Sequence, residues 1–374
     1  MIVHAPARDF VELTRDDGKL RFVASIDGLR GLAVAGVMVF HLGLPFMVGG
    51  YLGVSSFFTL SGFLITSLLL AELRTSSSID LIGFWSRRGR RLLAASLGTI
   101  ALVVVTFGVM VGTADQRAGL RGDALSSIFQ VANWHYVFQG SSYAKLFASP
   151  SPLLHFWSLA IEEQLYWVLP VALGGLWKAV RGRRMVFGAV LGVLALCSAL
   201  EPVVFGMSRD RVYFGTDTRA AEVLIGAVLA VVLSDRIIRR RLALRYNYRV
   251  AAVVAGAAIL AVQLWWWLTL EQSTPWLYRG GFALYALMTC AVICAAMVPA
   301  GPVRLALGTR PLRYLGERSF GLYLVHWPIY LAVRQTWPGM WSPFRVLFSV
   351  GLSLIAAEAS YRLVERPVRI GRWP

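Results

Sequence analysis

Asp27-Gly28-Leu29-Arg30-Gly31-Leu32-Ala33-Val34-Ala35-Gly36-Val37-Met38-Val39-Phe40-His41 is an apolar run with a guanidinium near one end and an imidazole at the other. Arg30 and His41 are the only strongly polar side chains between Gly28 and Gly49. They lie 11 positions apart, and that many helical steps of about 100° bring the second to within roughly 20° of the first, about three turns on. The spacing predicts one helix with both groups on one face. An ionisable group at membrane depth costs about 2.5–3.5 kcal/mol on insertion scales, so such a face turns to a protein interior or a wet cavity. Two roles stand open: a structural one, snorkelling or pairing with a neighbouring helix, and a chemical one, since imidazole titrates near neutrality.

The rest of the chain puts this helix in a membrane. Of 374 residues, 57% are hydrophobic and 15% charged, and the mean hydropathy is +0.62. That is too apolar for a soluble globule, and the apolar residues arrive in blocks of bilayer-spanning length. The expected fold is all-α, a polytopic transmembrane helical bundle. Ten spans are expected, at 27–46, 51–71, 92–112, 157–177, 185–204, 217–234, 249–270, 279–299, 319–337 and 344–363. The transmembrane domain runs over 27–366 with an outer loop at 113–156, between a cytoplasmic segment at 1–26 and a cytoplasmic tail at 367–374. The first residues are not a secretory signal: the apolar run starts late, is too long and lacks a small-residue cleavage site.

The net charge of +17 is a topology signal. With the amino terminus inside, 27 of the 37 Lys and Arg fall on the inner side and 9 on the outer, Arg30 set aside. Every inner loop is more basic than its outer neighbours, as the positive-inside rule requires, so both termini are cytoplasmic. No nucleic-acid partner is implied: there are no Cys/His zinc spacings and no phosphate-binding glycine-lysine loop. Cys197, Cys290 and Cys294 all lie within expected spans and read as packing residues, with no disulfide framework and no metal site.

Further polar groups interrupt the spans. Ser55, Ser56, Thr59, Ser61 and Gly62 fall within Gly53–Phe63, where small and hydroxylated residues suit close helix packing or a narrow lining for an acyl chain. The fourth span opens with His155-Phe156-Trp157-Ser158-Leu159-Ala160-Ile161-Glu162-Glu163-Gln164-Leu165-Tyr166. Adjacent carboxylates point about 100° apart, so Glu162 and Glu163 can do different jobs, one orienting an imidazole and the other pairing with an arginine. Asp217, Arg219 and Glu222 open the sixth span; Arg219 and Glu222, spaced i,i+3, can neutralise each other. His326 sits in Tyr323-Leu324-Val325-His326-Trp327-Pro328, either a core residue beside a proline kink or a substrate contact. Near residues 120–138, Asn133-Trp134-His135-Tyr136 suits a helix at the membrane interface.

On the inner face, Phe84-Trp85-Ser86-Arg87-Arg88-Gly89-Arg90-Arg91-Leu92 is dense in arginine, a device for binding phosphates that also suits acidic headgroups and topology. A basic inner mouth, a polar helix face and an outer cluster of His and carboxylates together suit transfer of a group from a phosphorylated cytoplasmic donor to an outer acceptor.

The chain resembles the acyltransferase-3 family of bacterial integral-membrane acyltransferases, in the branch that modifies surface sugars. The matching stretches are Ile26–His41 with its Arg, ten residues, His pattern, Gly53–Ile65, Phe84–Leu92, Ser151–Pro170, Thr216–Ala230, Leu315–Pro328 and Tyr361–Pro367. The resemblance implies acyl-CoA as co-substrate with no permanently bound cofactor, and a hydroxyl acceptor on a carbohydrate or glycolipid of the cell envelope. It implies catalytic roles for Arg30, His41, Glu162 and Glu163, with Arg87, Arg88, Arg90 and Arg91 on the donor's phosphates. Ser61, Arg219, Glu222, His326 and Trp157 are the expected acceptor contacts. Larger family members append an extracytoplasmic hydrolase-like domain; this chain stops at Pro374, nine residues after Glu365, so a stand-alone transferase of the bacterial cytoplasmic membrane is expected. The competing readings are a secondary transporter or exporter of a glycoside or acylated metabolite, disfavoured because no inverted repeat is visible, and an acyltransferase acting on a secreted macrolide-type metabolite.

Overall fold

The computed structural model describes residues 23–76, 78–139, 150–235, 238, 246–299 and 301–369. Most of the expected segment 1–26, residues 140–149 of the expected outer loop and the end of the 367–374 tail lie outside that set. In chain order the helices are α1 (Ala24–His41), α2 (Gly53–Thr75), α3 (Leu81–Val105, continued by a π-helical stretch over Thr106–Val111), α4 (Ala114–Ile128) and α5 (Ala132–Phe138). Then follow α6 (Phe156–Ala179), α7 (Arg184–Val204), α8 (Arg209–Phe214), α9 (Thr216–Leu233), α10 (Tyr246–Thr269) and α11 (Gly281–Met297). The last are α12 (Pro302–Leu307), α13 (Arg310–Glu317), α14 (Ser319–Thr336), α15 (Ser342–Ser360) and α16 (Arg366–Arg369). No strand occurs among the described residues.

The protein is an all-α, multi-pass membrane protein. A helix lies on each of the ten stretches read as spans. Among the described residues, six helical stretches are long and apolar enough to cross a bilayer: Ala24–His41, Gly50–Thr75, Leu81–Val111, Arg184–Val204, Arg249–Thr269 and Ser342–Val368. Burial divides them: 78% of the apolar window of Gly50–Thr75 is covered by protein against 17% for Arg249–Thr269. Leu102, Val109, Val193, Leu347 and Ile355 are among the exposed apolar side chains of the less covered helices. Exposed apolar faces of that extent are tolerated in lipid and not in water. Of the remaining helices, α6, α9 and α14 carry the ionisable groups singled out above, and α11 has only 17 residues.

The chain divides into two compact units. The first combines residues 1–79, 169–206 and 217–317. Its centre is α1, which packs on α2, α12 and α13 around Ile26, Leu29, Leu60, Phe63, Ile293 and Leu307. Ser25 Oγ donates to the Ala296 carbonyl at 2.7 Å. Backbone meets backbone at these crossings: a Cβ on Gly28 would lie 1.6 Å from the Leu307 carbonyl oxygen, and one on Gly31 2.0 Å from that of Leu312. In the crossing of α2 and α9 a Cβ on Gly62 would lie 1.9 Å from the Val223 oxygen, and one on Gly226 2.0 Å from that of Thr59. Small residues are the usual means of bringing membrane helices this close. Gly62→Ala is therefore expected to lower the melting temperature in detergent or abolish folded yield, since overpacking costs about 1–3 kcal/mol or more where backbone must move. Gly98→Ala, whose Cβ meets nothing within 4 Å, is the tolerated control; equal melting temperatures would contradict the close crossing.

The second unit combines residues 80–168, 207–216 and 318–374. Here α14 packs along α15, and α3 contacts α4 and α14. Thr113 and Gln116 form a reciprocal capping box at the start of α4, satisfying two amide donors that the first helical turn leaves open.

Three local differences from the sequence reading matter for the site. First, α1 stops at His41 rather than running to residue 46. Gly43 adopts φ +69°, the left-handed geometry that ends helices, with Pro45 just beyond. His41 thus occupies the last turn. Second, α3 starts at Leu81, so Arg87–Arg91 is helical rather than loop. Asp80 caps it, accepting from the Gly83 amide at 2.8 Å. Third, the helix expected within 120–138 is two, α4 and α5, separated where Gln130 takes φ 57°.

Candidate active site

In the first unit, Arg30 and His41 share α1, about 16 Å apart along its axis at the standard rise. His41 is 7% exposed and its ring lies 5.4 Å from that of Phe40. Arg30 is half-buried, its Nη1 3.9 Å from Asp27 Oδ1 one turn earlier. The pair is thus on one helix, as the spacing requires, with the imidazole more enclosed than the guanidinium.

Arg219 and Glu222 are buried together, at 1% and 0% exposure. Arg219 Nε lies 3.0 Å from Glu222 Oε2, and its Nη2 donates to Ser55 Oγ on α2 at 3.1 Å. The guanidinium also sits 3.8 Å over the Phe282 ring and 5.4 Å from that of Phe58. Beside them Ser56 Oγ and Tyr285 OH are 3.2 Å apart, and Trp267 Nε1 donates to Tyr285 OH at 2.9 Å. The i,i+3 neutralisation available in the sequence is therefore present, reinforced by α2 and α11. Ser61, on the same α2, is half-buried.

In the second unit, the two glutamates differ. Glu162 Oε1 lies 3.9 Å from Arg88 Nη2 and accepts from the Tyr166 hydroxyl. The Arg88 guanidinium lies 3.1 Å from the centre of the Tyr166 ring, and Trp85 Nε1 donates to the Tyr166 carbonyl at 3.2 Å. Glu163 is half-buried beside it, its carboxylate within electrostatic reach of Arg88 and Glu162. Of the remaining arginines, Arg87 is exposed and 3.6 Å from Asp80. Arg90 is exposed, donating to its own helix at the Ser86 carbonyl, 3.3 Å away. Arg91 belongs to the same helix, and its side chain lies outside the described residues.

Trp157 is buried against Tyr213 and Phe214, with ring centres 4.7 and 5.4 Å away. His326 is buried, its Nδ1 2.8 Å from the Tyr323 carbonyl and 3.0 Å from that of Leu322. Three neighbours carry no role in the sequence reading: His155, 1% exposed, with its ring centre 5.7 Å from that of His326, and the hydroxyls of Ser158 and Tyr323, 2.5 Å apart. A second omission is the pair formed by Asp123 on α4 and His135 on α5, with Oδ1 and Nε2 3.1 Å apart. Burial pushes the Asp123 carboxyl above the usual carboxylate range, against the opposing pull of Ser151 and His135. Among the described residues no group of three or more His, Cys, Asp or Glu is arranged to hold a metal.

A family model described as an acyltransferase domain matches residues 23–360. The peptidoglycan O-acetyltransferase OatA of Listeria monocytogenes is 36% identical over 360 residues, covering 93% of this chain and 56% of the relative. The putative peptidoglycan O-acetyltransferase YrhL of Bacillus subtilis is 37% identical over 357 residues, covering 93% and 55%. The O-acetyltransferase OatA of Staphylococcus aureus is 35% identical over 353 residues, covering 93% and 57%. The chain thus spans about half the length of the curated relatives it matches. No solved structure matches it.

Proposed function

Because the chain belongs to this family of acyltransferase domains, we propose that it moves an acetyl or other short acyl group from cytoplasmic acyl-CoA to a sugar hydroxyl of a cell-envelope glycan or glycolipid. The observation that carries the reading is the enclosed His41 at the end of α1, three turns beyond Arg30, in a chain matched by the family over residues 23–360. The names of the relatives favour acetyl as the group and a peptidoglycan-type sugar as the acceptor. The proposed setting is the bacterial cytoplasmic membrane, crossed ten times with both termini inside, on the strength of the charge asymmetry. Residues 27–366 act as one transferase domain.

In the proposed reaction neutral His41 takes the proton of the acceptor hydroxyl as its oxygen attacks the thioester carbonyl. A carbon–oxygen bond forms, the carbon–sulfur bond breaks, and the proton passes on to the departing CoA thiolate. A transient acyl-imidazole at His41 would use the same groups in two steps. Arg30, three turns before His41 on α1, holds the donor on its phosphate side of the thioester. Glu163 is the carboxylate available to orient an imidazole, because Glu162 already meets Arg88 and Tyr166. Trp157 and His326 are the acceptor contacts proposed for the second unit and Ser61 that proposed for the first, where Arg219 with Glu222 fixes α2, the helix that carries Ser61.

Arg87 and Arg90, exposed at the start of α3, are proposed to meet the donor's phosphates together with Arg91. Arg88 links that segment to Glu162. Reversing Arg87 and Arg90 together to Glu is expected to raise the KM for acyl-CoA roughly tenfold or more, the worth of losing charged hydrogen bonds. Unchanged donor affinity in detergent would refute this role. The activity itself is tested by incubating purified protein with acetyl-CoA and a soluble peptidoglycan fragment and following free thiol. Acceptor-dependent thiol release is expected; no release with any hydroxylated acceptor would overturn the function.

A further inference from the structure

Pro328 interrupts α14. A proline has no amide hydrogen, so the carbonyl four residues earlier loses its helical partner. That carbonyl is Leu324, and it is met from 169 positions away in sequence: His155 Nε2 lies 3.0 Å from the Leu324 oxygen. A carbonyl only accepts, so Nε2 carries the proton and Nδ1 is the bare lone pair. His155 is 1% exposed, and its Nδ1 has no hydrogen-bond partner among the described residues. Buried acceptors of this kind are rare in native proteins and call for a donor from outside the fold.

The neighbouring imidazole is arranged alike. His326 Nδ1 lies 2.8 Å from the Tyr323 carbonyl and 3.0 Å from that of Leu322, which places its proton on Nδ1 and its lone pair on Nε2. The two rings meet edge to face with centres 5.7 Å apart. His155 thus spends its N–H on backbone of α14 and keeps acceptor capacity at Nδ1. Ser158 and Tyr323, 2.5 Å apart, are in turn occupied with each other and with the His155 carbonyl, 3.3 and 3.2 Å from their oxygens.

We propose that His155 is an acceptor-binding residue: its Nδ1 receives a hydrogen bond from a hydroxyl of the sugar, while its Nε2–H holds the carbonyl freed by Pro328. The contact chooses a neutral O–H donor and has no attraction for an anion. The proposal rests on the acyl-transfer reading of this chain and extends it to a residue on α6's leading edge.

Two substitutions separate the two ring nitrogens. Gln at position 155 can bring an N–H to where Nε2 stands but nothing to Nδ1; Asn brings a carbonyl oxygen near Nδ1 but cannot reach Leu324. His155→Gln is expected to raise the KM for the sugar acceptor about tenfold while the KM for acetyl-CoA stays as in wild type. His155→Asn is expected to keep the acceptor KM close to wild type, at some cost in melting temperature. The proposal is overturned if His155→Gln has the wild-type acceptor KM, which would make His155 a cap of the Leu324 carbonyl alone. It is equally overturned if Asn and Gln raise that KM alike. Wild-type protein that transfers no acyl group to any hydroxyl would instead strike at the acyltransferase reading itself.

Discussion

His41→Ala is expected to lower acyl transfer by about 10²–10⁴-fold, the usual range for loss of a general acid–base group, while leaving folded yield and melting temperature near wild type. Loss of a nucleophile that carries the acyl group would give at least as large a fall. The structural reason to expect little damage to the fold is local. His41 occupies the last turn of α1, next to a chain reversal at Gly43, and the packing of α1 on α12 and α13 is made by Gly28 and Gly31 at its other end. The measurement is ester formation on a hydroxylated acceptor, with size-exclusion behaviour as the folding control. A folded His41→Ala protein with wild-type transfer would remove the imidazole from the mechanism.

The second large effect is on stability. Glu222→Leu leaves the Arg219 guanidinium buried at 1% exposure without its carboxylate, and breaking one side of a buried ion pair costs about 3–5 kcal/mol. That is a large share of the roughly 5–15 kcal/mol that holds a typical domain together. Loss of most folded protein, or a steep fall in melting temperature, is expected. The double variant Arg219→Met, Glu222→Leu removes both charges and is expected to recover most of the loss, as buried pairs replaced by apolar groups often do. Since the pair is proposed to act by fixing α2, the recovered protein should transfer acyl groups. A stable double variant with no activity would instead put the ion pair in direct contact with substrate.

Some of this architecture is legible in the sequence and some is not, for physical reasons that differ by residue. The helix joining Arg30 to His41 follows from an 11-residue spacing and an uninterrupted apolar run. Its end does not, because the stop depends on the backbone of Gly43, and glycine fits a continuing helix in a membrane as readily as a reversal. The Arg219–Glu222 pair follows from i,i+3 spacing, whereas its third partner, Ser55, is 164 positions away. Adjacent carboxylates at 162 and 163 announce two directions; Tyr166 lies one turn beyond Glu162 on the same helix, but only the tertiary contact with Arg88 decides which glutamate is engaged. The basic stretch 87–91 looks like any inner loop by composition, and its helical state is set by Asp80, a cap outside the arginine cluster. Pro328 declares that Leu324 needs a hydrogen-bond donor, but nothing local identifies His155 as that donor.

Transfer of an acyl group from a donor on one side of a membrane to a hydroxyl on the other is read out in sealed vesicles. Purified protein is reconstituted into liposomes that enclose isotopically labelled acetyl-CoA, with a soluble peptidoglycan fragment supplied outside. Mass spectrometry is expected to find labelled acetyl ester on the outer glycan with wild-type protein and none with His41→Ala. Label remaining inside as acetyl-CoA or free acetate, with the outer glycan unmodified by folded wild-type protein, would contradict the account.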